Sequence, residues 1–181
     1  MNPPYRLIER CLLRERIADL SLNDSRQVEA ALAWIELGNP QEAETELQSI
    51  SVHCRNHPRV FRARYLIHEA RGEWERAAAI ARIIRERFPR SSYGFNQLAY
   101  ALHQLQRTEE AYNVLLPAAI RFPKEDSIPY NLACYSCRLG NIEVAWTWLQ
   151  KAVELAGTEQ IKTQAMSDPD LERLWPRISE W

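Results

Sequence analysis

Apolar and small residues in this chain recur at helical spacing, and the register itself repeats. Ala43, Ala77, Ala111 and Ala145 stand 34 residues apart, and four residues after each comes Leu47, Ala81, Leu115 or Leu149. A spacing of four keeps both members on one face of a helix. Twelve residues before each alanine come Ala31, Tyr65, Ala99 and Ala133. These belong to a preceding helix, so a methyl usually faces a methyl where the two helices cross. Five residues before each alanine stands Gly38, Gly72, Gln106 or Gly140, and twelve residues after it Arg55, Pro89, Pro123 or Gly157. Glycine ends the first helix because a left-handed cap suits it, and proline or glycine ends the second. Asn39-Pro40 adds a cap residue followed by proline at a helix start. The pattern predicts helix pairs over residues 25-37 and 41-54, 59-71 and 74-88, 92-105 and 108-121, and 127-138 and 142-156. No segment shows strand alternation.

Flanking segments continue the helical spacing. Leu7, Ile8, Cys11 and Leu12 make one stripe on a helix predicted from Pro4 to Ala18, a cap or a dimer contact. Ile161, Ala165 and Met166 make a second. Asp168-Pro169 then opens a helix with Leu171, Leu174, Trp175 and Ile178 on one side, a stripe expected to cap the fourth unit, with partner binding as the alternative. No single pair covers its own apolar face, so the pairs stack around a continuous core. Pro117, inside a predicted helix, removes a backbone hydrogen bond and predicts a kink.

A 34-residue period with these glycines, alanines and prolines, and with Trp74 two residues after Gly72, resembles the tetratricopeptide repeat (TPR) family over about residues 25 to 157. The resemblance implies an all-α, right-handed α-α superhelical solenoid of about four TPR helix pairs with N- and C-terminal capping helices. One domain over residues 1-181 follows: an N-terminal helix at 1-22, repeats at 23-57, 58-91, 92-125 and 126-158, and capping helices at 159-181. Departures are Gln106 in place of glycine and extra residues before Pro58. The resemblance further implies that first helices line a concave groove with the residues 18, 15, 11 and 8 before each alanine. Those are Ser25, Val28, Leu32 and Ile35; Arg59, Arg62, Leu66 and Glu69; Tyr93, Asn96, Tyr100 and His103; Ser127, Tyr130, Cys134 and Cys137. With Asn131 and Arg138 beside it, the wall suits a partner peptide or helix: tyrosine gives area at low entropy cost, and arginine forks onto carboxylates. The carboxylate clamp of chaperone-docking members is not matched, since Val28, Leu32 and Leu66 stand where polar residues are needed.

Composition narrows function by exclusion. With 181 residues, 46% of them hydrophobic, and only five glycines, the chain buries a full core. Its formal net charge of -1 and pI near 6.4 give no overall field toward nucleic acid or anionic lipid. Yet residues 55 to 90 carry ten arginines against four glutamates, a balance of 10 - 4 = +6, leaving -7 for the remainder. No apolar run approaches the length of a membrane span, and residues 1 to 10 lack a secretory leader pattern, so membrane insertion is not expected and a cytoplasmic setting is. Four cysteines in such a chain read as free thiols. Cys134 and Cys137 form a C-x-x-C and His53, Cys54 and His57 a ligand-like cluster, but the two belong to different units, so no shared zinc site is expected. No nucleophile-base pair, phosphate loop or paired carboxylates appear. The reading is a non-catalytic interaction scaffold or adaptor without cofactor or metal, a monomer or weak homodimer. A secretion-type chaperone of the TPR class and a self-associating structural protein are its rivals.

Overall fold

The computed structural model describes residues 19–181; the helix expected over Pro4–Ala18 lies outside the described residues. Those residues form an all-α solenoid of successive helical hairpins. The pairs are α1 (Leu22–Glu36) with α2 (Pro40–Gln48), α3 (Pro58–Ala70) with α4 (Trp74–Arg87), α5 (Tyr93–Gln104) with α6 (Thr108–Arg121), and α7 (Ser127–Arg138) with α8 (Ile142–Ala156). Then come α9 (Thr158–Ala165), a 3-10 segment (Pro169–Leu174) and the single turn α10 (Trp175–Ile178). The chain parts into two compact units between Gln97 and Leu98, inside α5.

Each hairpin turns on the same cap. Gly38, Gly72, Gln106 and Gly140 all have positive φ, at 76°, 68°, 61° and 84°. In each case two successive amides donate back into the helix just ended: Gly72 N to Glu69 O and Glu73 N to His68 O, both 2.9 Å, and likewise Gln106 N to His103 O and Arg107 N to Leu102 O, both 2.9 Å. That reciprocal pair satisfies carbonyls that would otherwise be orphaned at the helix end. Three glycines adopt the conformation freely, and Gln106 adopts it against its Cβ.

The repeat alanines lie where the hairpin helices cross. Ala31 and Ala43 in the first unit, and Ala99, Ala111, Ala133 and Ala145 in the second, are all 0% exposed. Small side chains there let helix axes approach closely, and the larger neighbours Leu47, Leu115 and Leu149 fill the space along each seam. Tyr65 takes an alanine's place in the second pair and its hydroxyl donates to Gln97 O at 3.3 Å. At Gly94 the backbones come so close that an added Cβ would sit 2.5 Å from the Arg85 amide nitrogen.

Three expectations need correction. Helix α2 stops at Gln48 rather than residue 54, because the carboxylate of Asp24 accepts the Ser51 amide at 2.8 Å and commits that residue to extended backbone ahead of a 3-10 turn, Val52–Cys54. No residues are inserted before Pro58: the residues ahead of it are those the shortened helix gives up. The chain after Pro169 is 3-10 through Leu174, not an α-helix. It nevertheless buries Leu171, Leu174 and Ile178 completely, packing on α7 and α8. Helix α6 runs through Pro117 to Arg121, four residues beyond it, with the proline exposed.

The end of the chain is fastened to the second unit by polar contacts. Lys162 Nζ donates to Trp181 O at 2.6 Å, Trp175 Nε1 to Ala165 O at 2.9 Å, and Arg177 pairs with Glu143 at 2.8 Å while its guanidinium stacks 4.2 Å from the Trp146 ring centre. Stacking of that kind adds about 0.5–2 kcal/mol.

Candidate binding face

In the first unit the groove positions of α3 keep access to solvent. Arg59, Arg62, Leu66 and Glu69 are each partly exposed. Their i, i+3, i+7, i+10 spacing puts them on one face. Arg59 is oriented by α1, its guanidinium donating to Ser25 Oγ at 3.1 Å and to Glu29 Oε1 at 3.4 Å. Burial pushes the Glu69 carboxyl above the ordinary range. Asn96 is partly exposed as well, whereas Val28 is at 0% and Tyr93 at 7%, set edge-on to Tyr65 with ring centres 6.3 Å apart. Val28 and Tyr93 belong to the core and are not wall residues.

In the second unit the corresponding face is covered by the chain itself. The segment after α9 lays Asp168 and Asp170 across the side of α7. Tyr130 donates its hydroxyl to Asp168 Oδ2 at 2.9 Å, and the Cys134 thiol donates to the same oxygen at 3.4 Å. His103 Nε2 meets Asp170 Oδ2 at 2.8 Å, its Nδ1 meets Thr108 Oγ1 at 3.0 Å, and Arg138 approaches Asp170 at 3.5 Å. The His103 bond, with help from its charge and that of Arg138, holds the Asp170 carboxyl below the usual range against the opposing effect of burial. Tyr130, His103, Cys134 and Cys137 are thereby closed to solvent, while Tyr100 and Asn131 are partly exposed and Arg138 exposed. The sequence pattern marks Asp168-Pro169-Asp170 only as a helix start. The signal it also carries is a pair of carboxylates two residues apart, opposite a row of hydroxyl, thiol and imidazole donors.

Chemistry at this face is subdued. Burial, followed by the Asp168 charge, pushes the Cys134 thiol well up, and burial raises Cys137 and Tyr130 too. A C-x-x-C built for redox work needs a depressed thiol. These two thiols are filled-in core.

Among the described residues no helix is long and apolar enough to cross a membrane. No protein-family model matches the chain, and no curated protein matches it by sequence. Solved structures do. MamA, residues 41 to the end, from Desulfovibrio magneticus RS-1 superposes with a TM-score of 0.66 at 16% identity, over 90% of this chain and 96% of that one. A thermophilic TPR protein of Thermus thermophilus gives 0.65 at 19% identity, over 86% of this chain and 82% of that one. The fold is the tetratricopeptide solenoid. At these identities the likeness concerns backbone architecture.

Proposed function

We propose that the protein is a non-catalytic interaction scaffold that holds an extended peptide or a helix of a partner protein against the α3 face of its TPR array. The observation that carries this reading is the contrast between the two units: Arg59, Arg62 and Leu66 remain accessible, whereas Tyr130 and His103 are occupied by the C-terminal segment. A face with arginines flanking a leucine offers bidentate donors for carboxylates around an apolar contact. Asn96 extends the candidate set within the first unit, and Tyr100, Asn131 and Arg138 form a separate candidate set within the second. A TPR fold serves adaptors and secretion-type chaperones alike, and partner identity separates them.

A photo-crosslinking residue placed at position 62 or 66, compared with one at Ile120, which is 85% exposed on α6, tests the assignment. Partners crosslinking from 62 and 66 but not from 120 fit the reading. Equal capture from all three, or capture from 120 alone, refutes it, and crosslinks to a second copy of this chain favour self-association instead.

A further inference from the structure

One carboxylate in the first unit is buried with no countercharge against it among the described residues. Asp24, in the first turn of α1, is 0% exposed, and its partners among the described residues are neutral: Ser21 Oγ at 2.7 Å, the Ser51 amide at 2.8 Å, Ser51 Oγ at 3.0 Å and the Cys54 thiol. Aspartate is almost never fully buried unless it is paired or binds metal. Beside it lie a second buried donor and an exposed one. A carboxylate oxygen of Asp24, a ring nitrogen of His53 and Sγ of Cys54 all fall within 4.8 Å of one another.

The geometry points to a site for a thiophilic divalent cation, of the zinc type, held by Asp24, His53 and Cys54 with water at a fourth position. Bond lengths of about 2.0–2.3 Å to such an ion put tetrahedral ligands roughly 3.5 Å apart, so the cluster needs only a small inward turn. His53, exposed on the 3-10 turn, supplies that motion and the entry path. The two buried donors are already fixed, and Ser21 and Ser51 orient the carboxylate as outer-shell partners. Charge closes as well: Asp24 and the Cys54 thiolate contribute -2 against +2, so the buried site becomes neutral. Binding exchanges one proton, the Cys54 thiol proton, for the metal and releases it to solvent. A thiolate ligand excludes magnesium and calcium. The sequence alone shows His53 and Cys54 as adjacent donors; Asp24, 29 residues before His53, is brought in by the same fold of the chain that ends α2 early.

Cobalt and zinc ions are the probes. One equivalent of Co2+ added to the full metal-free chain is expected to produce a thiolate-to-cobalt charge-transfer band that zinc abolishes. The band should survive replacement of the other three cysteines (Cys11→Ser, Cys134→Ser, Cys137→Ser) and disappear in Cys54→Ser. Because Cys54 is a core residue, the surface variant His53→Ala provides the second arm: it should keep its helicity by circular dichroism, weaken cobalt binding by at least about tenfold and lose the rise in Tm that zinc gives the parent. A band that persists without Cys54, His53→Ala binding as tightly as the parent, or no band below roughly millimolar cobalt overturns the site.

Discussion

Gln106 holds a left-handed φ of 61° at a position where three sister hairpins have glycine. A side chain in that region costs roughly 1–2 kcal/mol, part of which glycine gives back through the freedom of the unfolded chain. Gln106→Gly is therefore expected to stabilise the fold by about 1 kcal/mol, read from urea unfolding; a destabilised variant would mean that the glutamine side chain makes a contact worth more than its strain. Asp24 is a residue whose effect depends on pH. The Ser21 hydroxyl first, then the Ser51 amide, lower its carboxyl from 3.8 to about 2. A folded value below the unfolded one gives stability that is complete above about pH 4 and lost as pH falls from there toward 2. In chelator-treated protein, Asp24→Asn should lower stability at pH 7 and flatten its dependence on pH across that window. An unchanged slope would assign the acid sensitivity elsewhere.

At the level of elements, the hairpins were legible in the sequence because a cap glycine, a crossing alanine and a closing proline or glycine recur at fixed offsets in most of the units, and each is a local signal. What was not legible depended on contacts between segments far apart in the chain. Nothing around residues 49 to 54 announces that Asp24 will take the Ser51 amide and end α2, and nothing near Tyr130 announces that Asp168 will reach it from 38 residues away. The same cause hid Tyr93, whose helical position matched the wall but whose ring turned inward against Tyr65. The covering segment makes a prediction of its own. Asp168→Ala leaves the Tyr130 hydroxyl and the Cys134 thiol without their acceptor, at roughly 1–3 kcal/mol. Cys134 should nevertheless stay slow toward a thiol reagent in the folded variant, since burial rather than the carboxylate is the main influence on it. Deleting residues 167 to 181 removes the cover itself, and Cys134 and Cys137 should then react rapidly. If the truncated chain keeps both thiols protected, the segment is not what closes that face.

Over the whole molecule, a net charge of -1 conceals a segment of +6, residues 55 to 90, against -7 for the rest. All of that basic segment falls in the first compact unit, the one whose candidate face is accessible. A partner that answers Arg59 and Arg62 is thus expected to be acidic, and its capture should be faster at low ionic strength, because charge complementarity acts mostly on encounter. With a Debye length of about 8 Å near physiological salt, raising ionic strength severalfold screens such steering strongly. For a partner captured through position 62, the association rate should fall as salt rises. Arg62→Glu should lower that rate and shallow its salt dependence, while Arg121→Glu, a reversal of the same size at an exposed position outside the segment, should leave the slope nearly unchanged. Equal slopes for the two variants would mean that net charge alone governs encounter and that the α3 face does not meet the partner first.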